Sequence, residues 1–319
     1  MSPAASAPGG AQDVQVPQAS PVLVVQVTDA AYAQHVGVLW SSLATVHAPG
    51  GVRVVLFAED PAAPALRTLA SFARDIGLVA EVRGLDMGAL PQGPRNKYVH
   101  PISYARLLLP RLLVEPRAIY LDADTVVRKD LTALWQHDLQ GAWLGAVPDG
   151  GEDMPWQALG LAAEGDYINS GVLLLDLDAW RRHGLVEACE QFLATSPHLV
   201  RYMDQDVVNA VARGHVAQLG VEWNWMHHHP GARAERDPAV VHYAGKVKPW
   251  HYRCEHPWRG LYAQHLARTP WRGYRAPDRT LRRVLARWLV PGPLRRALRR
   301  LDARRRGHGA GAQAPWRTG

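Results

Sequence analysis

Two aspartates, Asp122 and Asp124, follow directly on the apolar run at residues 118–121. The run is typical of a buried strand, so both carboxylates would lie at the end of that strand, two residues apart. Mg²⁺ and Mn²⁺ take oxygen ligands and often join one or two carboxylates to substrate phosphates. The pair therefore indicates a metal site, although a capping aspartate with a surface neighbour would have the same spacing.

A second segment with polar chemistry begins at His242, within a short apolar run at residues 240–243. An imidazole at a strand end can complete a metal site that contains carboxylates. Gly245 allows the backbone to approach a phosphate, and Lys246 or Lys248 can offset the phosphate charge. The alternative is a histidine at the edge of the core, followed by a solvated lysine loop.

Two further polar clusters border predicted elements. Residues 166–171 precede the apolar run at 172–175, as turns often do. Residues 203–206 open a helix, where one acid can be an N-cap and the other polar groups remain free to recognise hydroxyls. Each cluster alone is typical of a structural role. The four segments together, in this order, are more specific than any one of them.

Apolar runs and amphipathic segments alternate along the chain. The predicted strands lie at residues 22–27, 53–58, 78–82, 118–121, 142–147, 172–175 and 240–243. The predicted helices lie at residues 32–46, 61–76, 103–113, 179–195 and 206–213. This alternation indicates an α/β fold with a mostly parallel sheet flanked by helices. Such sheets bind ligands beyond the carboxyl ends of their strands, which is where the aspartate pair falls.

The charge of the chain is divided between a body and a tail. The 319 residues carry 36 Lys+Arg and 29 Asp+Glu, a formal net charge of +7. Residues 1–250 hold 19 basic and 26 acidic side chains, whereas residues 251–319 hold 17 Arg, no Lys and 3 acidic side chains. This excludes a uniformly basic, nucleic-acid-binding body and indicates an anionic surface as the partner of the tail.

The tail contains two basic amphipathic patterns, at residues 279–290 and 294–301, separated by Pro-Gly-Pro. Helices of this type bind in the plane of an anionic membrane. Each arginine contributes ~1 kcal/mol near such a surface, so about a dozen can dock an enzyme reversibly. One alternative is a pair of helices packed on the body. Another is RNA binding, which the sparse aromatic residues disfavour.

The remaining features favour a cytoplasmic setting. The two cysteines, Cys189 and Cys254, lie far apart and form no disulfide framework. Residues 1–20 lack the charged and apolar regions of a secretory signal, and we expect a disordered lead-in there. No apolar run approaches the ~20 residues that span a bilayer.

Six blocks of the sequence, taken in their order along the chain, resemble those of glycosyltransferase family 8. The resemblance is closest to its bacterial lipopolysaccharide galactosyl/glucosyltransferase branch. The matching blocks are residues 28–32, 103–107, 120–124, 169–172, 204–206 and 242–250. The resemblance implies a Rossmann-like GT-A catalytic domain at residues 21–260. A membrane-associating helical region at 261–306 and a disordered tail at 307–319 would follow it.

The resemblance also implies roles for individual residues. The implied ligands of Mn²⁺ (or Mg²⁺) are Asp122, Asp124 and His242, and the implied donor substrate is a UDP-sugar. The implied donor-binding residues are Thr28, Asp29, Tyr32, Arg106, Asp122, Ala123, Asp124, Asp149, Asn169, Asp204, Gln205, Gly245 and Lys248. Those with an implied catalytic role are Arg106, Asp204 and Gln205.

The implied reaction moves galactose or glucose, with retention, to a saccharide acceptor of the lipopolysaccharide core, at the inner face of the cytoplasmic membrane. Gln205 is an amide and a poor nucleophile, which favours same-face attack over double displacement. Ala31 stands where the family usually has Asn, so one nucleotide contact is lost or replaced. The alternatives are a catalytically silent, membrane-associated saccharide-binding protein, a nucleotide-sugar hydrolase, and a transferase to a non-lipid acceptor.

Overall fold

The structure is a computed structural model, and it describes residues 21–95 and 100–281 together with Leu285 and Leu289. Several sequence expectations lie outside these residues. They are the lead-in at 1–20, the basic helix at 294–301, the tail at 307–319 and most of the basic helix at 279–290.

Strands and helices alternate through most of the described chain. The strands are β1 (Val22–Val27), β2 (Val52–Ala58), β3 (Val79–Gly84), β4 (Arg117–Leu121), β5 (Thr125–Val127), β6 (Leu144–Pro148), β7 (Ile168–Asp176), β8 (Val216–Gln218) and β9 (Val240–His242). The α-helices are α1 (Ala33–Val46), α2 (Pro64–Asp75), α3 (Leu109–Leu112), α4 (Thr132–Trp135), α5 (Leu177–Arg182), α6 (Leu185–Thr195), α7 (Asp204–Val211) and α8 (Arg259–Leu266).

Seven strands form one mixed sheet in the order β3-β2-β1-β4-β7-β6-β8. The pairs β3·β2, β2·β1, β1·β4 and β6·β8 are parallel, whereas β7 runs antiparallel to both of its neighbours. Strands β5 and β9 form a separate antiparallel pair. The fold is therefore the expected α/β arrangement, a mostly parallel sheet flanked by helices.

Both faces of the large sheet are covered, which explains why its central strands are continuous apolar runs. All six residues of β1 are buried. Val24 belongs to the cluster that includes Trp40 of α1 and Leu69 of α2. Its neighbour Val25 belongs to the cluster on the opposite face, which includes Trp180 of α5. The sheet is thus a rigid base from which the ends of β1, β4, β6 and β7 present polar side chains.

Three predicted helices differ from the observed ones. Helix α2 begins at Pro64, because the Asp60 carboxylate accepts a hydrogen bond from the Ala62 N–H and forms a turn in front of the helix. The helix predicted at 179–195 is two helices, since Gly184 adopts φ +61° between them. The helix predicted at 103–113 is a 3-10 helix, Pro101–Leu108, followed by α3.

Helix α8 crosses the expected domain boundary at residue 260 and packs on α1. His35 Nδ1 lies 2.7 Å from the Tyr262 hydroxyl, and Ser41 Oγ lies 3.2 Å from His265 Nδ1. A Cβ at Gly37 would lie 2.9 Å from the Trp271 ring, so glycine is needed for this close approach. Residues 259–271 are therefore packed against the sheet-and-helix body.

Among the helices described here, none is both long and apolar enough to cross a bilayer.

One of the two histidines in the α8 interface, His265, makes stability sensitive to acid. Burial and, secondly, the charge of Arg268 lower the pKa of His265 to about 4. As pH falls below the ordinary histidine pKa of about 6.5, the unfolded chain binds this proton before the folded protein does. The stabilisation is therefore complete above that pH and is lost progressively below it.

We expect His265→Gln to remove this acid sensitivity. The free energy of unfolding of the wild type should fall by on the order of 1–2 kcal/mol more than that of the variant between pH 7.5 and 5. Urea unfolding at both pH values measures the difference. His198→Gln, at an exposed position, serves as the control. Equal losses in wild type and His265→Gln would show that His265 does not contribute.

Candidate functional site

Two strand pairings bring the aspartate pair and His242 together. Asp122 follows β4, and its N–H donates to the Gly171 carbonyl of β7 at 2.8 Å. The chain then turns into β5, where Thr125 lies opposite His242 of β9. The Tyr243 N–H donates to the Asp124 carbonyl at 3.0 Å. The short pair β5·β9 thus places the His242 imidazole beside the carboxylates of Asp122 and Asp124, although these lie 120 and 118 residues earlier in the chain.

Asp122, Asp124 and His242 form a group that fits a divalent cation, and we call these three residues the metal-ligand group. One ligand atom from each lies within 4.8 Å of the others. His242 Nε2 is 3.4 Å from Asp124 Oδ1 and 3.9 Å from Asp122 Oδ2. Asp124 and His242 are buried and Asp122 is partly exposed, so the cluster opens toward solvent on one side. Carboxylate oxygens with one imidazole nitrogen suit Mn²⁺ and Mg²⁺.

The charges around Asp124 keep its carboxylate ionised. Burial alone would raise the pKa of Asp124, but the Lys248 ammonium outweighs burial and holds the pKa well below its usual range. Lys248 Nζ contacts Asp124 Oδ2 directly and also donates to the Tyr243 carbonyl at 3.1 Å. A cationic side chain therefore stands beside the metal-ligand group.

Gly171 provides the space that this cluster occupies. A Cβ at this position would lie 2.3 Å from His242 Cε1 and 2.8 Å from Asp122 Oδ2. Such distances are far inside van der Waals contact, so any side chain at this position would displace the ring or the carboxylate. The Asn-Ser-Gly block, residues 169–171, lies inside β7. The turn that its polarity suggests is not formed there.

Arg106, in the 3-10 helix before α3, lies beneath the site and is 6% exposed. Its guanidinium pairs with Asp122 Oδ1 at 2.9 Å and with Asp204 Oδ2 at 2.8 Å, and it donates to the Ser170 carbonyl at 2.6 Å. It also lies 4.3 Å from the centre of the Tyr120 ring. Burial alone would lower the pKa of Arg106, but the two carboxylates raise it above its ordinary value. Arg106 thus connects the metal-ligand group to α7.

Gln205 occupies the centre of a hydrogen-bond network beside this cluster. Its Oε1 accepts from the Ser170 N–H at 3.1 Å and from Asn169 Nδ2 at 3.2 Å. Its Nε2 donates to Asp149 Oδ2 at 3.2 Å and to the Tyr167 hydroxyl at 3.1 Å. Both ends of the amide are therefore engaged by protein groups, which leaves little freedom for the oxygen to act as a nucleophile.

The two acids near Gln205 have opposite pKa shifts. Burial raises the pKa of Asp204, with Arg106 opposing and Asp122 reinforcing the shift. Burial would also raise the pKa of Asp149, but hydrogen bonds from His228 and Asn169 outweigh burial and lower it. Asp149 is thus the more acidic of these two buried carboxyls.

The nucleotide-side candidates lie at the end of β1. Thr28 is buried, and the Asp29 carboxylate accepts hydrogen bonds from the Ala31 N–H at 2.8 Å and the Tyr32 N–H at 3.2 Å. Asp29 thereby caps a 3-10 turn that presents Tyr32 edge-on to Trp250, with ring centres 5.9 Å apart.

The segment that follows β9 packs against residues that follow β1, because Trp250 contacts Tyr32 and His35. Gly245 has φ +96°, a conformation that glycine adopts without strain. Trp250 stacks on His35 with ring centres 3.5 Å apart. These contacts hold Lys248 between the nucleotide-side candidates and the metal-ligand group.

The structure also shows site residues to which the sequence analysis gave no role, notably Tyr120, Tyr167, Ser170 and Asn224. The side chains of Tyr120 and Ser170 contact Asp122 and Arg106, respectively. Asn224 lies next to Trp225, whose main chain pairs with β9, and no sequence pattern predicts so short a pairing. The three consecutive histidines contact different partners. His228 lies 3.3 Å from Asp149, while His229 caps a 3-10 turn.

Three comparisons with known proteins show what this chain is similar to. A family model described as Glycosyl transferase family 8 matches residues 23–254. General stress protein A of Bacillus subtilis is 26% identical over 269 residues, which are 78% of this chain and 94% of that protein. Lipopolysaccharide 1,2-glucosyltransferase of Escherichia coli is 31% identical over 171 residues, which are 49% of this chain and 50% of that protein.

Among solved structures, a galactosyltransferase, LgtC, in complex with donor and acceptor sugar analogs superposes with a TM-score of 0.69 and 26% identity. The match covers 79% of this chain and 99% of that one. This chain spans nearly all of the Bacillus relative and about half of the Escherichia coli one.

Gly171→Ala tests whether the site depends on the absence of a side chain at residue 171. We expect it to destabilise the protein by on the order of 1–3 kcal/mol, because the added methyl forces His242 or Asp122 to move. Binding of Mn²⁺, followed by the paramagnetic resonance of the free ion, should weaken in parallel. Gly165→Ala is the matched control, since a Cβ there has no atom within 4 Å. Wild-type stability and Mn²⁺ binding in Gly171→Ala would contradict the geometry.

Proposed function

The chain belongs to glycosyl transferase family 8, and on that premise we propose that it is a metal-dependent, retaining hexosyltransferase. The proposed donor is UDP-galactose or UDP-glucose. The proposed acceptor is a saccharide of lipopolysaccharide core type, attached to lipid. The observation that supports metal dependence most directly is the Asp122, Asp124 and His242 cluster with Lys248 against it.

The choice of donor is supported by the relatives and by the site. The similar Escherichia coli protein is a glucosyltransferase, and the similar solved structure is a galactosyltransferase. We assign the nucleotide to the end of β1, beside Asp29 and Tyr32, because the adjacent Lys248 offers positive charge for a diphosphate. Ala31 has no polar side chain, so the nucleotide contact would come from its neighbours.

A bound Mn²⁺ or Mg²⁺ would act as a Lewis acid on the leaving diphosphate. In this proposal Asp122, Asp124 and His242 hold that ion. Lys248 is held beside them and would stabilise the negative charge that develops on the diphosphate. Arg106 is buried, and it would act by holding Asp122 and Asp204 in position.

We propose that the reaction proceeds by same-face attack. A double displacement requires a nucleophile beneath the anomeric carbon. The Gln205 oxygen already accepts two hydrogen bonds, and the Asp204 carboxylate is paired with Arg106 and accepts from Ser170. In this mechanism Asp149, Asn169, Asp204 and Gln205 hold the hexose. A diphosphate oxygen takes the proton of the acceptor hydroxyl.

We further propose that the Arg-rich tail docks the enzyme on the inner face of the cytoplasmic membrane. Leu281, Leu285 and Leu289 are 75%, 49% and 74% exposed, and their spacing of four places them on one side of a helix. An exposed apolar stripe flanked by arginines is typical of helices that lie in the membrane interface. A soluble enzyme docked in this way would meet a lipid-linked acceptor.

The second candidate function is a catalytically silent saccharide-binding protein at the membrane. The loss of a polar side chain at Ala31 is the feature that favours it. The ionised Asp124 beside Lys248 favours the enzyme, because a binding protein needs neither a metal site nor a cation beside it.

Asp122→Asn and Asp124→Asn test the metal assignment. Each should lower hexose transfer at least about 100-fold, because the stabilisation of the leaving group by the metal is worth several kcal/mol. Mn²⁺ affinity should fall in both variants while circular dichroism stays native. Asp75→Asn, at the exposed end of α2, is the control. Full transfer activity in either site variant would rule out the proposed site.

Removal of the chain from Arg279 onward tests the tail. We expect the full chain to sediment with vesicles that contain about a third anionic lipid, and the truncated chain to stay in the supernatant. Transfer to a soluble saccharide acceptor should be similar for both, because every residue that we assign to donor binding precedes Arg279. Equal sedimentation of the two chains would refute membrane docking by the tail.

A further inference from the structure

Asn224 is fully buried and lies behind the metal-ligand group. Its Oδ1 is 2.9 Å from His242 Nδ1, and its Nδ2 is 3.0 Å from Asn169 Oδ1. The neighbouring main chain holds it there, since the Trp225 N–H donates to the Val240 carbonyl and the His242 N–H donates to the Trp225 carbonyl. Asn224 therefore touches the imidazole on the side opposite the two carboxylates.

Two backbone N–H groups establish which way the neighbouring amides point. The Gly171 N–H lies 3.0 Å from one side-chain atom of Asn169, and the Ser170 N–H lies 3.1 Å from one of Gln205. A backbone N–H can only donate, so both atoms must be amide oxygens. The Asn169 amide nitrogen then faces Gln205 Oε1 and the Asp149 carboxylate, both of which accept.

This orientation propagates to His242. Because Asn169 Oδ1 is an acceptor, the Asn224 atom that faces it must be the amide nitrogen. The Asn224 oxygen consequently faces His242 Nδ1, which must donate and therefore carries the ring proton. In the neutral ring, the Nε2 lone pair is therefore left toward Asp124 Oδ1 at 3.4 Å. A neutral imidazole in this tautomer is ready to bind a metal through Nε2.

The hydrogen bonds between Gln205 and Asp206 run in the same donor-to-acceptor direction. Gln205 Nε2 donates to Asp149 and to the Tyr167 hydroxyl, and that hydroxyl donates to Asp206 Oδ1 at 2.6 Å. Ionised carboxylates accept hydrogen bonds and donate none. Every hydrogen bond from His242 to Asp206 therefore points in one direction, and a reversed amide would leave two oxygens facing each other.

We propose that Asn224 is a positioning residue that holds the His242 proton on Nδ1 and so keeps Nε2 available to a divalent cation. The proposal rests on the metal site described under the proposed function. Without the Asn224 oxygen, the ring proton would gain a partner by moving to Nε2, where the carboxylates of Asp122 and Asp124 accept. In that tautomer the nitrogen can no longer bind the ion.

The wild-type protein supplies the first test, in the absence of metal. Long-range ¹H–¹⁵N correlation spectra of the full chain in alkaline buffer distinguish the two neutral tautomers, and His242→Gln identifies the His242 signals. We expect the Nδ1–H tautomer. Any other form of the ring in the wild type overturns the proposal.

Asn224→Leu supplies the second test, since leucine is of similar size and cannot accept a hydrogen bond. We expect the His242 proton to move to Nε2 and the Kd for Mn²⁺, measured by paramagnetic resonance without donor, to rise about 10- to 100-fold. Ser41→Ala is the matched control, because it removes the partner of another buried histidine, His265. An unchanged tautomer and Kd in Asn224→Leu overturn the proposal, and the wild-type spectrum decides alone if this variant does not fold.

Failure of this proposal differs from failure of the metal site. If the wild type shows the Nδ1–H tautomer but binds no Mn²⁺, the proposed metal function fails and the role of Asn224 in fixing the tautomer stands. If the wild type binds Mn²⁺ and Asn224→Leu binds it equally, the metal site stands and the role of Asn224 fails.

Discussion

The guanidinium of Arg106 is a buried charge, and the arrangement of the site depends on how that charge is paired. An unpaired buried cation costs several kcal/mol, so its partners must be held in good geometry. Arg106 pairs with Asp122 at the end of β4, with Asp204 at the start of α7 and with the Ser170 carbonyl in β7. One side chain thereby sets the relative positions of three elements that carry residues of the proposed active site.

The parts of the fold that the sequence could predict are those with strong local signals. Residues 22–27 form β1 as expected, because a strand buried on both faces must be apolar throughout. The same reasoning placed Asp122 and Asp124 at the end of β4, where parallel sheets bind ligands. The residues alone left open whether His242 completes this site or lies at the edge of the core, because the pairing that joins them involves strands of three residues. The resemblance then implied that His242 is the third ligand.

The parts that sequence analysis missed are those where tertiary contacts replace local preference. Asn169 and Ser170 are polar and suggest a turn, yet they lie within β7 because the site supplies hydrogen-bond partners for them. Gly184 divides a segment with continuous helical character. Strand β8 has only three residues, of which two are partly exposed and one is exposed, and it has no alternating apolar pattern. The amide network around Gln205 cannot be seen in a sequence, because it joins residues that are 18 to 56 positions apart.

The division of charge along the chain now has a physical interpretation. Several acidic residues of the body are arranged around Arg106 and Lys248, and we propose that they serve the metal ion and the sugar. We propose that the arginines of the tail determine where the enzyme works. The most direct test of the catalytic claim is UDP release by the purified chain from UDP-galactose and UDP-glucose, with Mn²⁺ and with EDTA. Release from at least one donor that requires Mn²⁺ is predicted, and equal release in EDTA would contradict the account.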